Sequence, residues 1–374
     1  MLPKVIDIIN MIEDFAPSAL AEKWDNIGLL IGDYNFSVQR IMLCIDVTRE
    51  LVNEAILKKV NLIITHHPFI YEPLKNIRQN DNQGTLIHLL IKNNISVFCA
   101  HTNLDKAEYG TDYALASRLG LRDICTLLTE KFDQKLYKIA AFVPEKFEKT
   151  VFEAMAAAGA GHIGNYSHCS FQTYGTGTFL PLESADPYIG KKGFVESVRE
   201  VRIEMVASDK ILGNVLTAMI KVHPYDEVAY DVFNLANLTN RHGLGRIGTL
   251  ANRIRCGDYL KQLSTLLNTD RVNVFGDLDK DIVKVAVCAG SGADLALSAK
   301  DLGAELFVTG EVKYHKALEI RNMNMSFVAA GHYATEFPVL LLLIEHLQKI
   351  ASALQYEVEL FLPDTVTDPF HVLK

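Results

Sequence analysis

Residues 40–68, RIMLCIDVTRELVNEAILKKVNLIITHHP, contain the pattern that decides the fold. Two apolar runs rich in isoleucine, leucine and valine flank a segment whose apolar residues recur with helical spacing. These patterns predict, in order, a strand over 40–47, a helix over 49–59 and a strand over 60–65. A helix over 86–92 and a strand over 95–100 are predicted to follow. This βαβαβ order is typical of a parallel sheet covered by helices.

The last third of the chain repeats the pattern. Strands are predicted over 284–290, 305–309 and 326–331, with a helix over 292–302. The same number of residues separates Cys44 from Thr65 and Cys288 from Thr309, and each interval contains a strand, a helix and a strand. We interpret the two segments as an internal pseudo-repeat and predict two α/β halves with largely parallel sheets.

The middle of the chain differs in character. Between about residues 137 and 235, a strand, a helix, two hairpin-like strands, a helix and a strand follow one another. This order resembles a ferredoxin-like split sandwich, so we predict an α+β domain inserted into the first domain. The predicted segments are 1–130 for the first half of the α/β domain, 131–240 for the insertion and 241–374 for the second half.

Composition limits the classes of function. Of 374 residues, 49% are hydrophobic and 22% are charged, which is normal for a soluble globular protein. A net charge of -8 without a basic block gives no support to binding of nucleic acid or of an anionic membrane. The longest apolar run, 337–344, is far short of the roughly 20 residues that span a bilayer. Six scattered cysteines without a CxxC pair, and an amphipathic N-terminal helix, favour the cytoplasm.

Two histidines follow the second predicted strand. His66 and His67 stand directly after it, and Pro68 biases His67 toward an extended backbone. In open parallel sheets, ligands bind beyond the carboxyl ends of the strands. Adjacent side chains of an extended chain point to opposite sides, so these two imidazoles suit two metal ions better than one. The alternative is a pair of strand-end histidines with a structural role.

Two further strand ends share one motif. The third strand ends in His101, four residues before Asp105, and the corresponding strand of the second half ends in His332, four residues before Glu336. Pro338 suits the first turn of a following helix, which places Glu336 just before that helix. We therefore predict that His332 and Glu336 lie in a strand-to-helix turn over the functional edge of the sheet.

Together these side chains form a candidate metal site. The predicted ligands of two divalent ions are His66, His67, Asp105, His332 and Glu336. Mixed nitrogen and oxygen donors suit zinc, iron, manganese or cobalt and argue against a structural thiolate zinc site. Zinc is our first choice, with iron and manganese as alternatives. One glutamate can bridge two ions held about 3.5–4 Å apart, a spacing used to activate water for hydrolysis.

Two more residues are candidates for catalytic roles. His101 is interpreted as a weak ligand, a residue that supports a ligand, or a proton carrier. Glu311 occupies the position in the repeat that corresponds to His67. It is interpreted as a general base, a residue that supports a ligand, or a solvated loop residue.

Residues 243–248, GLGRIG, match GxGxxG literally. A dinucleotide fingerprint directly follows a strand and opens a helix, and neither context is present in the sequence pattern here. The leading interpretation is a turn. The alternative is a loop near the site in which Arg246 meets an anionic substrate.

Several segments resemble those of the NIF-three-like family, the family of the NGG-one-interacting factor. They are WDNIGLLIGD (24–33), THHPF (65–69), HTNLD (101–105), GLGRIG (243–248) and GHYATE (331–336). Members are widely labelled GTP cyclohydrolase 1 type 2 homologues. The resemblance covers nearly the whole chain and includes the long form with an insertion similar to PII and CutA domains. It implies an α/β fold, a dinuclear metal site and a toroidal homohexamer, and the five predicted ligands stand where the family's ligands stand.

Two hypotheses of function follow. The first is a metal-dependent hydrolase acting on a nucleotide-like small molecule, and the family label implies GTP as its substrate. The second is a non-catalytic, metal-bearing hexamer whose inserted domain senses a ligand or docks a partner.

Overall fold

The computed structural model describes residues 1–129, 135–164, 166–235 and 242–370. The chain divides into two compact units, Met1–Glu130 together with Asn240–Lys374, and Lys131–Thr239. The helices are α1 Val5–Phe15, α2 Arg49–Leu57, α3 Asn82–Lys92, α4 Thr102–Lys106, α5 Thr111–Arg118, α6 Glu148–Ala157, α7 Asp209–Val222, α8 Cys256–Leu266, α9 Ala296–Asp301, α10 Tyr314–Arg321, α11 His332–Glu336 and α12 Pro338–Ala353. The strands are β1 Gly28–Ile31, β2 Arg40–Cys44, β3 Leu62–Thr65, β4 Ser96–Cys99, β5 Arg122–Thr129, β6 Leu136–Pro144, β7 Ser170–Phe179, β8 Glu196–Ser208, β9 Tyr230–Leu235, β10 Gly243–Arg255, β11 Asn273–Phe275, β12 Asp281–Cys288, β13 Leu306–Thr309, β14 Ser326–Ala329 and β15 Glu359–Phe361.

The first sheet of the larger unit has the strand order β1-β4-β3-β2-β15. The strands from β15 to β4 are parallel, and β1 pairs antiparallel with β4. Every residue of β3 and β4 is buried, which explains their unbroken apolar runs. Side chains of α2 and α3, such as Leu51 and Leu90, share one core cluster with Met42 and Ile63. The predicted parallel, helix-covered sheet is confirmed for this half.

The second sheet has the strand order β11-β14-β13-β12-β10-β5. Its strands β12, β13 and β14 are parallel. However, β10 pairs antiparallel with both β12 and β5, and β11 pairs antiparallel with β14. The prediction of a largely parallel sheet is therefore wrong for this half. The insertion is one cause, because β5 leads into it and β10 returns from it, so that these strands pair like the arms of a hairpin.

The pseudo-repeat is visible in the strand register. In the first sheet Cys44 pairs with Thr65, and in the second sheet Cys288 pairs with Thr309. The same pair of repeat positions is thus in register within each of the two sheets. Each sheet also takes one strand from the other half of the chain, β15 in the first sheet and β5 in the second.

The smaller unit has the element order β6-α6-β7-β8-α7-β9 and the strand order β7-β8-β6-β9, antiparallel throughout. Its core joins alternate residues of the central strands, such as Ile139 and Ile203, to Met155 of α6 and Met219 of α7. Both helices therefore pack on one face of the sheet. This is a ferredoxin-like arrangement.

The segment GLGRIG lies within β10, so the interpretation as a turn is wrong. Arg246 is only 2% exposed. Its guanidinium donates to the carbonyl oxygens of Gly243, Gly245 and Ala107 at 2.8, 2.8 and 2.5 Å. The buried Asp112 carboxylate accepts the backbone N–H of Gly245 at 2.6 Å beside it. The guanidinium of Arg246 is used in hydrogen bonds to the backbone. The alternative in which Arg246 meets an anionic substrate therefore has no support.

None of the helices in the described parts of the chain is long and apolar enough to cross a membrane.

Candidate metal centre

The candidate site lies in the larger unit, at the carboxyl ends of β3 and β4 of the first sheet and of β14 of the second sheet. His66 and His67 follow β3. The backbone N–H of His66 donates to the carbonyl oxygen of Cys44, the last residue of β2, at 3.0 Å, and that of His67 donates to the carbonyl oxygen of Ile45 at 2.9 Å. His101 follows β4 and is the N-cap residue of α4, which carries Asp105. The loops after neighbouring strands thus bring together residues that are far apart in the sequence.

A single helical turn, α11, carries the remaining two predicted ligands. Gly331 precedes it with a φ of 97°, a left-handed conformation that favours glycine. Residues four apart share one face of a helix, and His332 Nε2 lies 2.9 Å from Glu336 Oε1. The sequence predicted a turn here, and the structure has a short helix instead. The next helix, α12, begins at Pro338 as predicted.

Glu336 links the predicted ligands to one another. Its Oε1 lies 3.9 Å from His66 Nε2, and its Oε2 lies 3.2 Å from His67 Nε2. On the other side of His66, the same Nε2 lies 3.5 Å from Asp105 Oδ1. The structure therefore brings all five predicted ligands into one cluster, with the Glu336 side chain almost fully buried inside it.

Four histidines at this site turn Nδ1 toward an oxygen acceptor. Nδ1 is hydrogen-bonded to the Ala100 carbonyl in His66 at 3.1 Å, to Asp46 in His67 at 2.8 Å and to Asp25 in His101 at 3.0 Å, while Glu311 lies at the longer ion-pair distance of 3.5 Å from His332 Nδ1. A proton on Nδ1 leaves a lone pair on Nε2 that is free to bind a metal. Three of the four acceptors are carboxylates, the partners that commonly fix and strengthen metal-binding imidazoles.

The chemistry of the donor set fits a divalent metal. His66 Nε2 is buried and has no hydrogen-bond partner among the described residues. One ring nitrogen each of His66, His67 and His101 lie within 4.8 Å of one another, and so do donor atoms of His67, His332 and Glu336. Either group could hold a metal ion. Imidazole with carboxylate suits zinc, iron or manganese.

Protons are unevenly distributed over the metal-free site. Burial lowers the pKa of His66 to about 4, so this imidazole is neutral at pH 7. Burial would also lower the pKa of His67, but contacts with Asp46 and Glu336 outweigh it and raise the pKa to about 10. Burial would raise the pKa of Glu336, yet contacts with His332 and His67 hold it well below the usual range. The metal-free site therefore stores a proton on His67.

Metal binding is expected to release that proton. Without metal, His67 keeps its proton up to about pH 10, whereas a metal ligand must offer a neutral nitrogen. Displacement of one proton makes the apparent metal affinity rise about tenfold per pH unit below that pKa and level off above it. Calorimetric titration of metal-free protein with Zn²⁺, in two buffers of different ionisation enthalpy, counts the protons at pH 7.

Asp46→Asn is the matched variant for this titration. It removes the carboxylate that lies 2.8 Å from His67 Nδ1 and leaves Nε2 untouched. The pKa of His67 should fall, so fewer protons should be released at pH 7. Identical binding heats for the wild-type protein in both buffers would contradict the charged His67.

Gly290, in the loop after β12, lies against the ligands. Its φ of +58° is left-handed, and a Cβ at this position would collide with Glu336 Oε1 and lie 3.2 Å from His332 Nε2. The Gly290 N–H donates to Thr335 Oγ1 at 3.1 Å, and its carbonyl accepts the Gly310 N–H at 2.9 Å. The loop cannot move aside without breaking these bonds, so it fixes the position of the Glu336 carboxylate.

Gly290→Ala is therefore expected to weaken metal binding about 10- to 100-fold, the range found when groups that support metal ligands are changed. Competition with a coloured chelator measures the affinity. Gly120→Ala is the control, because its φ of +76° imposes a similar backbone strain while its Cβ would meet open space. Equal affinities of the two variants would contradict the close approach at Gly290.

Several supporting residues were not predicted from the sequence. Asp46 was missed, although a carboxylate just after an apolar strand is the same signal that identified His66. Asp25 was named only within a segment that resembles the family, and Ser291 was not named. Ser291 Oγ donates a short hydrogen bond to Glu311 Oε1, next to His332. No local pattern marks Ser291 as part of the site.

An open cavity of about 560 Å³ reaches the site. His67 and His332 are among its lining residues, together with Asp46 and Glu311. Its volume lies within the range of roughly 300–1,000 Å³ that is typical of small-molecule sites.

The fold and the cluster define a mixed α/β protein with a candidate metal centre at its strand ends. The model of the Duf34/NIF3 (NGG1p interacting factor 3) family matches residues 3–369. The chain belongs to this family, which confirms the resemblance inferred from the sequence.

Named relatives and solved structures agree with this assignment. The "GTP cyclohydrolase 1 type 2 homolog" of Bacillus subtilis is 39% identical over 366 residues, covering 98% of each chain. The protein of the same name from Listeria innocua is 40% identical over 361 residues, covering 96% of each. A crystal structure of a Bacillus cereus protein related to NIF3 superimposes with a TM-score of 0.88 at 38% identity, covering 100% of both chains.

Proposed function

We propose that the protein is a metal-dependent hydrolase of a nucleotide-like small molecule. The observation that carries this proposal is the cavity, because His67 and His332 belong both to its lining and to the candidate metal centre. When bound, a pair of divalent ions supplies a Lewis acid and a hydroxide nucleophile at neutral pH. The names of the curated relatives support a guanine nucleotide as the first substrate to test.

The proposed ligands are the five predicted residues, holding two divalent ions per chain, with zinc as the first choice and iron or manganese as alternatives. Glu336 is proposed to bridge the ions. It would do so from one position, because its carboxylate lies within 3.9 Å of His66, His67 and His332. All six cysteines are free thiols, which supports the cytoplasm as the compartment.

The cavity lining carries one cation on an aromatic ring, beside the carboxylates of Asp46, Glu311 and Asp368. The Arg271 guanidinium lies over the Phe370 ring, 5.2 Å from its centroid. Its Nη1 lies 3.6 Å from Asp368 Oδ1, within ion-pair distance but too long for a good hydrogen bond. Asn273 adds a side-chain amide to the same lining. We propose that Arg271 binds the anionic part of the substrate.

Glu311 is the proposed general base. It lines the cavity, its side chain is more than half exposed, and its Oε1 lies 3.5 Å from His332 Nδ1. Glu311→Gln is expected to lower kcat by about 10²- to 10⁴-fold, the usual contribution of a general base. Metal content should persist, because Glu311 is not among the proposed ligands and glutamine keeps the size of its side chain. Elemental analysis and steady-state kinetics measure the two quantities separately.

Glu319→Gln provides the control, since the side chain of this glutamate is similarly exposed and pairs with Lys316 at 3.4 Å on the surface of α10. Its kinetics should match the wild type. A Glu311→Gln protein with wild-type kcat would remove the proposed base and leave Glu311 with an orienting role.

The experiment that tests the function is a substrate screen. Protein loaded with zinc, iron or manganese is assayed on GTP, on cyclic nucleotides and on a panel of phosphoesters. The proposal expects turnover of at least one nucleotide-like compound that stops when a chelator is added and returns with metal. A fully loaded protein that turns over no member of the panel would contradict it.

The second candidate is a non-catalytic, metal-bearing homohexamer. The ferredoxin-like smaller unit supports a PII- or CutA-like role for the insertion in sensing a ligand or docking a partner. Opposite its helices, the sheet carries the exposed aromatic rings of Phe171 and Phe233, in register with Glu204 and Lys138. Light scattering measures the mass of the particle, and a monodisperse monomer near 41.7 kDa would contradict the hexamer.

A further inference from the structure

We infer that Trp24 and Tyr71 form an aromatic platform that binds the planar base of a nucleotide-like ligand. The inference rests on the proposed function and deepens it, because it names the part of the substrate that the protein recognises. Neither side chain is a proposed metal ligand. The platform can therefore be tested by binding alone, without turnover.

The aromatic platform is exposed although its rings are large and apolar. Trp24 is 58% exposed and Tyr71 is 57% exposed, whereas tryptophan is highly buried on average in folded proteins. The two ring centroids lie 6.1 Å apart, and the ring planes are tilted by 57°. The tyrosine thus supports the indole while much of the indole surface faces solvent. Every nucleobase has a π face that can stack on such a ring.

The loops that carry the platform are tied together without a ligand. Asn26 Nδ2 donates to the carbonyl oxygen of Ile70 at 2.5 Å and so joins the two loops. Next to Trp24, the carboxylate of Asp25 accepts the backbone N–H of Thr102 at 3.0 Å. A platform that is already in place loses little conformational freedom when a ligand binds, which favours affinity.

The platform lies beside the candidate metal centre. The ring centroid of Trp24 is 6.3 Å from that of His101, with ring planes at 73°. One nitrogen of His101 lies within 4.8 Å of nitrogens of His66 and His67, in a group that could hold a metal ion. A base stacked on the indole is therefore a single imidazole ring away from candidate metal donors.

The pseudo-repeat gives independent support. Gly28 of β1 pairs with the last residue of β4, and Asn273 of β11 pairs with the last residue of β14, so the two residues are equivalent. Asn26 then corresponds to Arg271, two residues before each of them. Arg271 and Asn273 line the cavity at the metal centre. The loop of Trp24 is thus the first-half counterpart of a loop that lines the cavity.

The charges near the platform favour an uncharged ring over an anionic group. The sequence neighbours Lys23 and Glu72 are both exposed and have opposite charges. The equivalent loop of the second half instead carries Arg271, the residue proposed to bind the anionic part of the substrate. The first-half loop therefore suits the base.

Calorimetric titration of the metal-loaded, full-length protein with GMP and with ribose 5-phosphate, which lacks the base, tests the inference. The wild type should bind GMP about 5- to 150-fold more tightly, the range expected for stacking of one base on an aromatic side chain. In Trp24→Ala this preference should be lost, while the affinity for ribose 5-phosphate stays the same. A substitution that merely disturbed the metal centre would weaken the binding of both compounds.

Fluorescence provides a second measurement, because Trp24 is the only tryptophan of the chain. GMP should quench its emission in the wild type, and ribose 5-phosphate should not. Tyr71→Ala should also weaken GMP binding, since it removes the ring that supports the indole. Tyr34→Ala is the control, because this tyrosine is similarly exposed, at 51%, and both affinities should match the wild type.

Absence of GMP binding, or equal wild-type affinities for the two compounds, would overturn the inference. So would an unchanged preference for GMP in Trp24→Ala that is folded by circular dichroism. If the mass measured by light scattering falls in that same variant, the exposed rings belong to a contact between copies of the chain.

The inference and the hydrolase proposal can fail separately. Base-dependent binding of GMP, in a protein that hydrolyses no nucleotide, would support the platform and contradict the hydrolase. Metal-dependent turnover of a phosphoester without a base, together with equal affinities for GMP and ribose 5-phosphate, would support the hydrolase and overturn the platform.

Discussion

Glu336→Gln is expected to remove metal from the protein and to abolish any metal-dependent turnover. The carboxylate contacts His66, His67 and His332 at 3.9, 3.2 and 2.9 Å and so links all three. The substitution keeps the size of the side chain but leaves one neutral oxygen donor, which cannot bridge two ions. Changes to residues that merely support ligands cost about 10- to 100-fold in affinity, so the loss here should exceed about 100-fold.

Elemental analysis of protein purified without chelators measures the effect. The wild type should contain about two divalent ions per chain if the site is dinuclear. Glu345→Gln, at an exposed position of α12, is the control and should keep both ions. Wild-type metal content in Glu336→Gln would disprove the bridging role. Turnover that survives without metal would come from a contaminating enzyme.

Arg246→Met is expected to destabilise the larger unit by about 3–5 kcal/mol, because several buried carbonyl oxygens lose their donor at a cost of about 1–3 kcal/mol each. Methionine fills a similar volume but donates no hydrogen bond. The carbonyl oxygens of Gly243, Gly245 and Ala107 would lose their bonds to the guanidinium, and the buried Asp112 would lose its neighbouring positive charge. Unfolding in urea, followed by fluorescence of Trp24, reports on this unit because Trp24 is the only tryptophan.

Arg253→Met is the matched variant on the same strand. Its side chain is 57% exposed and contacts Glu305 at 3.3 Å. Exposed ion pairs contribute about 0–1 kcal/mol, so its unfolding midpoint should change little. If both variants unfold at the same urea concentration, the network around Arg246 does not stabilise the fold.

Sequence patterns located the buried parallel strands well. Where a predicted position was wrong, there is a physical reason. The strands β3, β4 and β13 begin and end within two residues of their predicted positions, because strands buried on both faces have unbroken apolar runs. Helix α3 begins four residues earlier than predicted. Its first turn is polar, and the Asp81 side chain caps it by accepting the Gly84 N–H at 2.6 Å, which apolar periodicity does not detect.

The direction of β10 could not be predicted from its own residues. Whether a strand is parallel or antiparallel is set by the strands that it pairs with. For β10 these are β5 and β12, which lie before and after it in the chain. The buried arginine within β10 is equally invisible in the sequence, because its partners are backbone carbonyl oxygens rather than a complementary side chain.

The clustering of the five proposed ligands was predictable because each follows a strand, but their pairing was not. The motif of a histidine four residues before a carboxylate occurs twice, with different results. His332 and Glu336 lie in one helical turn and contact each other. His101 has a non-helical backbone as an N-cap residue, and Asp105 instead contacts His66 from the neighbouring strand. A difference in backbone angles at one residue thus decides which donors meet.

The distribution of these donors along the chain has a consequence for biosynthesis. The residues up to Asp105 leave the ribosome first, then the whole smaller unit, and only afterwards His332 and Glu336. At about 5–20 residues per second, this interval lasts on the order of tens of seconds. A nascent chain therefore contains the early histidines before Glu336, which contacts two of them, has been made. In the same period β5 has no β10 to pair with. If the proposed ligands bind metal, the full site can form only at the final stage of synthesis, and a chain that terminates early cannot complete it.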